Sequence, residues 1–267
     1  MIAAATVVAL PLIGWGLFHP EFRPDVSTIG PSMREELAKT GFTQTRGVSA
    51  ARMEDIEFGG GFSENWTSEQ EIVPIDGLIT EKRTRRRGKG VAEEISGLYV
   101  GPFAVIRFYR TRPPLVGDLL PYQFWSSRRM SEFIVEQADG FPNTKGGRMR
   151  ARVTYEAHYA GGELEETERR RLQCDVADIV DATSINPRLD GTAARIDCRL
   201  ELEPDGRRVG PNNPQTYSEG AITFSHWYVS NRGWSIPIEG QRVVRVHGAE
   251  ETDQWSAKLV SFESSGK

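Results

Sequence analysis

Hydrophobic and polar positions alternate through most of this chain, and that alternation carries the first prediction. Met149, Ala151, Val153, Tyr155, Ala157 and Tyr159 recur at every second position, as do Ala194, Ile196, Cys198, Leu200 and Leu202. A period of two puts each set on one face of an extended strand. Turn signals bound these runs. Asp76-Gly77 lies between Ile72-Val73 and Leu78-Ile79, Gly161-Gly162 follows Tyr159, and Pro204-Asp205-Gly206 closes the second run. Ser230-Asn231-Arg232-Gly233 separates the segment Ala221 to Val229 from Trp234 to Ile238, a hairpin signal. Further strands are expected over Val91 to Val100, Phe103 to Tyr109, Arg242 to Val246 and Gln254 to Glu263. Another is expected over Glu163 to Val176, where Leu172, Cys174 and Val176 alternate, although the pairs Glu165–Arg169 and Glu166–Arg170 would also suit a helix. The predicted fold class is mainly β (β-rich α+β). It is a curved or partly closed antiparallel sheet of about eight or more strands with one or two covering helices.

Two helices are expected beside the sheet. Ser32-Met33-Arg34-Glu35 has the spacing of a capping box and opens a short helix to about Thr40, stopped by Gly41. Ser127 caps a second, from Arg128 to Asp139, with Met130, Phe133, Ile134 and Gln137 on one face and Gly140 beyond it. Asn143 to Gly147 is the best internal boundary and divides the β-rich domain, residues 59–267, into two possible subdomains.

The start of the chain is different in kind. Ile2 to Phe18 is a run of 17 residues without a charge, in a protein that is 26% charged. That length is the lower limit for a membrane-spanning helix, and it also suits the core of an export signal. No small-residue cleavage site closes it, and Trp15 and Phe18 suit an interfacial belt, so an N-terminal hydrophobic helix retained as an anchor is expected. Residues 19–58 then read as a tether with the short helix. Arg23 and Arg34 follow the segment and no Lys or Arg precedes it, which by charge alone favours a cytoplasmic body. The expected location is nonetheless membrane-anchored on the extracytoplasmic, periplasmic side.

Candidate chemistry is sparse. Net charge is −4, which offers nucleic acid no general attraction. Cys174 and Cys198 are the only cysteines, both on the apolar faces of their strands; a disulfide between them is expected in an oxidising compartment. His158, His226 and His247 lack ligand-like spacing, and no Walker loop, dinucleotide fingerprint or Gly-x-Ser-x-Gly elbow is present. No catalytic, cofactor or metal residue is assigned. Lys82, Arg83, Arg85, Arg86, Arg87 and Lys89 put six cations in eight residues. Basic on both faces, that strand reads as a hairpin tip projecting into solvent, where it can meet anionic lipid or an acidic partner. Trp227 and Tyr228 are adjacent and so point to opposite faces; either one leaves the core as a contact residue or both faces are covered.

The segments His226-Trp227-Tyr228-Val229-Ser230-Asn231-Arg232-Gly233-Trp234 and Trp255-Ser256-Ala257-Lys258-Leu259-Val260-Ser261-Phe262-Glu263 resemble the closing hairpins of exported bacterial β-rich proteins. Those proteins are similar to periplasmic lipoprotein carriers, and the resemblance implies a curved half-barrel able to hold an acyl chain. The expected function is a non-catalytic, membrane-tethered binding or accessory protein. It would dock on a membrane protein complex or hold a lipid-like ligand, with Trp227, Tyr228 and the basic hairpin as its binding surface. The alternative is an envelope enzyme whose site assembles from separate strands.

Overall fold

The computed structural model describes residues 26–42, 46–59, 62–87, 90–111, 124–159, 164–209, 217–246 and 249–264. The expected hydrophobic helix, Lys89 and His247 lie outside them. A short helix, α1 (Pro31–Ala38), precedes twelve strands: β1 (Ala50–Gly59), β2 (Phe62–Ile75), β3 (Leu78–Arg87), β4 (Gly90–Val100), β5 (Phe103–Thr111) and β6 (Phe124–Asp139). Then come β7 (Arg148–Tyr159), β8 (Leu164–Asp181), β9 (Thr192–Val209), β10 (Tyr217–Val229), β11 (Trp234–Val246) and β12 (Ala249–Glu263). Each strand pairs antiparallel with its chain neighbours, and β1 pairs with β12, so the sheet closes into a barrel without free edges. Two of the turns read from sequence are present as hairpin loops, Gly161-Gly162 lies outside the described residues, and Pro204-Asp205-Gly206 does not end its strand but lies inside β9. Asp76 and Gly77 both take positive φ, 46° and 82°, as a two-residue hairpin loop needs, and residues 230–233 join β10 to β11. β1 begins inside the segment read as tether, and residues 143–147 connect β6 and β7, which pair with each other directly.

The helix expected over Arg128 to Asp139 is instead strand β6. The apparent helical spacing has a cause in the ladder. Register shifts fall between Met130 and Glu132 and between Val135 and Gln137, so Met130 pairs with Tyr155 and Phe133 with Val153. One extra residue in the strand turns an i, i+3 spacing into two side chains on the same face. Both are buried.

α1 forms where predicted but is capped differently. Gly30 is the N-cap, without a side-chain hydrogen bond, and Pro31 starts the helix. The helix is held to the barrel by Leu37, buried in the core, and by Glu36, whose carboxylate accepts the Val135 amide at 2.8 Å. Glu36 also accepts from the Lys39 ammonium, and that bond first, with the Val135 bond second, keeps its carboxyl below the usual pKa. Arg34 donates to the carbonyls of Val26 and Ile29, folding the preceding turn against the same core.

The barrel interior changes character along its length. On β8 the inward positions run Glu166, Glu168, Arg170, then Leu172, Cys174, Val176, all buried. On β1 and β2 the same gradient reads Asp55 to Met53 and Ala51, and Trp66, Ser68, Gln70 to Ile72. The apolar end is filled by Phe42, Phe103, Phe133, Phe141 and Tyr228, which meet edge to face or tilted. A second apolar cluster joins Met53, Ile72, Ile79, Trp234, Ile236 and Phe262. The ends of β9 and β10 stand between the two: Tyr228 belongs to the first and Val229 to the second, both fully buried. Outward positions on β7 and β8 include Arg148, Arg150, Arg152, Arg169 and Arg171. At a bilayer midplane each would cost about 2–4 kcal/mol, so these outer faces are built for water.

Candidate functional site

The basic run does not project into solvent as a free tip. β3 pairs with β2 and β4 along its length, and Arg83 and Arg85 point inward. Arg85 is 9% exposed, lies 4.5 Å over the Trp66 ring, and donates to Glu57 at 2.9 Å and Glu93 at 2.8 Å. Arg83 bonds Glu81 at 3.1 Å, and with the Gln70 amide correctly oriented it also donates to the Gln70 carbonyl. A strand basic on both faces fits here because the barrel interior supplies carboxylates from β1, β3 and β4. Lys82 and Arg86 face outward toward Glu94 and Glu69. Arg87 ends β3. The run is therefore split between lumen and surface.

The Trp227/Tyr228 alternative also resolves. Tyr228 is fully buried and Trp227 packs partly buried against the second apolar cluster, so both faces of β10 are covered. The cysteines pair as expected. Cys174 and Cys198 are register partners on β8 and β9, and they form a disulfide with Cα atoms 4.1 Å apart.

The polar end of the lumen carries a second ionic group. Arg170, fully buried, donates twice to Glu168 at 2.9 and 3.0 Å and to the Gly220 carbonyl at 2.6 Å. Glu168 also accepts from Arg128, which stacks over Tyr155, and Glu166 pairs with Arg207. Not every polar atom there is matched. Asp55 Oδ2, Trp66 Nε1, Ser68 Oγ and His226 Nδ1 are buried without a hydrogen-bond partner. Burial, and then the positive charge of Arg83, hold the His226 pKa down to about 3, so the ring is neutral at ordinary pH.

A groove of about 610 Å³ lies on the outer surface of the barrel, where β8 to β12 and β1 form a hollow. Its lining resolves into two rows that run across the strands. Strand registers align Gln173, Arg199, Thr223, Gln241, Gln254 and Phe58 in the first. Asp175, Asp197, Ser225, Glu239 and Ser256 form the second. All four charged lining residues are paired: Asp175 with Arg148 at 3.2 Å, Asp197 and Glu239 with Arg195 at 3.0 and 2.9 Å, and Arg199 with Glu201. Ser225 donates to Asp197 at 2.7 Å. The disulfide faces the lumen directly behind this floor, between the groove residues Gln173 and Asp175 on one strand and Asp197 and Arg199 on the next. Gly240 lets the Trp255 ring lie against the inner side of the same sheet: a Cβ at that position would stand 2.2 Å from the ring.

Sequence reasoning missed these rows. Each contributes only the polar face of one strand, and the signal that unites them is the register of six strands. Among the described residues, no group of acidic, histidine or cysteine side chains is arranged to hold a metal ion. No family model matches the chain, and no curated protein or solved structure matches it.

Proposed function

We propose that this protein is a membrane-tethered, extracytoplasmic binding or accessory protein whose partner docks in the outer groove. The observation that carries the reading is the groove itself: five strands present two aligned rows of polar side chains on the outer surface, and Phe58 of a sixth ends the first row. The Cys174–Cys198 bridge supports an oxidising compartment and so favours the extracytoplasmic side over the orientation suggested by Arg23 and Arg34. The hydrophobic start supports the tether. Large side chains fill the apolar end of the lumen, which moves the ligand surface from the inside of the barrel to its outside.

The test uses the full chain in its own membranes, with a photo-activatable side chain at Gln241 and a control at Arg150 on the outward face of β7. A discrete adduct from Gln241 that Arg150 does not give is expected. Equal labelling at the two positions refutes the groove as the contact surface.

A further inference from the structure

We infer that the outer groove binds a linear, uncharged glycan laid across the strands, one sugar ring to a strand. This rests on the groove being the binding surface, and three features name the ligand class. The first is charge. Arg199, the cation of the lining, is already paired with Glu201, and the carboxylates Asp197 and Glu239 share the one guanidinium of Arg195, so the groove keeps a slight negative excess that disfavours an anionic polymer.

The second is hydrogen-bonding capacity. Among the described residues, the amides of Gln241 and Gln254 and the hydroxyls of Thr223 and Ser256 carry no side-chain hydrogen bond. Each offers a donor and an acceptor. Gln241 and Gln254 are direct register partners, and Thr223 is the partner of Gln241, so these groups stand in line. A chain of vicinal hydroxyls matches such a row. Phe58, which ends it, is 45% exposed and supplies a flat apolar face for the C–H side of a terminal ring.

The third is geometry. Adjacent strands lie about 4.8 Å apart, so the row crosses about 24 Å in all. That strand spacing is close to the advance of one pyranose ring along an extended β-linked chain. The row runs perpendicular to the strands and presents side chains rather than a sheet edge, whereas extended peptides bind sheets through a backbone edge.

The experiment is calorimetric titration of the full chain in detergent with cellotetraose and with tetra-N-acetylchitotetraose, repeated on a Gln241→Ala/Gln254→Ala variant and on Phe58→Ala. All three positions are exposed, and an unchanged thermal melt confirms folding. Saturable binding of at least one tetrasaccharide is expected, weakened about thirtyfold in the double variant if each amide contributes one ordinary hydrogen bond. Phe58→Ala should weaken it as well. Absence of binding at millimolar sugar, or binding indifferent to these substitutions, overturns the glycan assignment. A Gln241 adduct that persists without sugar binding overturns the ligand class alone; loss of both overturns the groove as well.

Discussion

Replacing Arg170 by Met should be among the most damaging single changes in this barrel. The guanidinium is fully buried and makes a two-bond contact with Glu168 and a third bond to the Gly220 carbonyl. Met preserves much of the packing volume but takes from the Glu168 carboxylate, 6% exposed, the buried guanidinium that donates to both its oxygens. Breaking a buried pair from one side costs about 3–5 kcal/mol, because the remaining charge stays desolvated. Against a total stability of about 5–15 kcal/mol that is about a fifth of the fold or more. Urea unfolding followed by tryptophan fluorescence measures it, with an unchanged m-value showing that the unfolded reference is the same. Glu168→Gln in the same background removes the stranded charge and should recover most of the loss, a strong non-additivity expected of residues in one network. A loss below about 1 kcal/mol for Arg170→Met, or strict additivity of the two changes, would refute the argument that this pair is desolvated and coupled.

Stability should also fall in mild acid because of His226. Its folded pKa is about 3 and the unfolded value is about 6.5, so the unfolded chain binds a proton that the folded chain refuses. The contribution is full above pH 6.5 and is lost as pH falls toward 3, amounting to about 2 kcal/mol by pH 5. His226→Phe should flatten that part of the unfolding profile; an unchanged slope sinks the assignment. Ser68→Ala removes a buried hydroxyl that has no partner and should leave stability unchanged or raise it by about 1 kcal/mol in urea melts, whereas a loss of that size means the hydroxyl is bonded. Reducing the Cys174–Cys198 bridge, which spans 24 residues, should cost about 3 kcal/mol on the chain-entropy view, read as a lower urea midpoint for Cys174→Ala/Cys198→Ala; an unchanged midpoint counts against it.

Local chemistry determined a good deal of this protein before any strand met another. The period of two marked the strands, Asp76-Gly77 and residues 230–233 marked their turns, and the apolar placement of Cys174 and Cys198 made their bridge readable. A strand's alternation shows that its faces differ, but not what stands opposite each face. The closed barrel decided that. It turned Arg83 and Arg85 inward onto Asp55, Glu57, Glu81 and Glu93, side chains drawn from three strands. It covered Tyr228 and Val229 from opposite sides. Bulges in β6 gave Met130 and Phe133 the spacing of a helix on the face of a strand. The groove is the furthest from local reading: Gln254 meets Gln241 through the β11–β12 register, and Phe58 meets Gln254 only because β12 closes the sheet onto β1. Spacing within a strand is set by the backbone of a few residues, whereas alignment between strands is set by partners distant in the chain and by the burial that holds them in register.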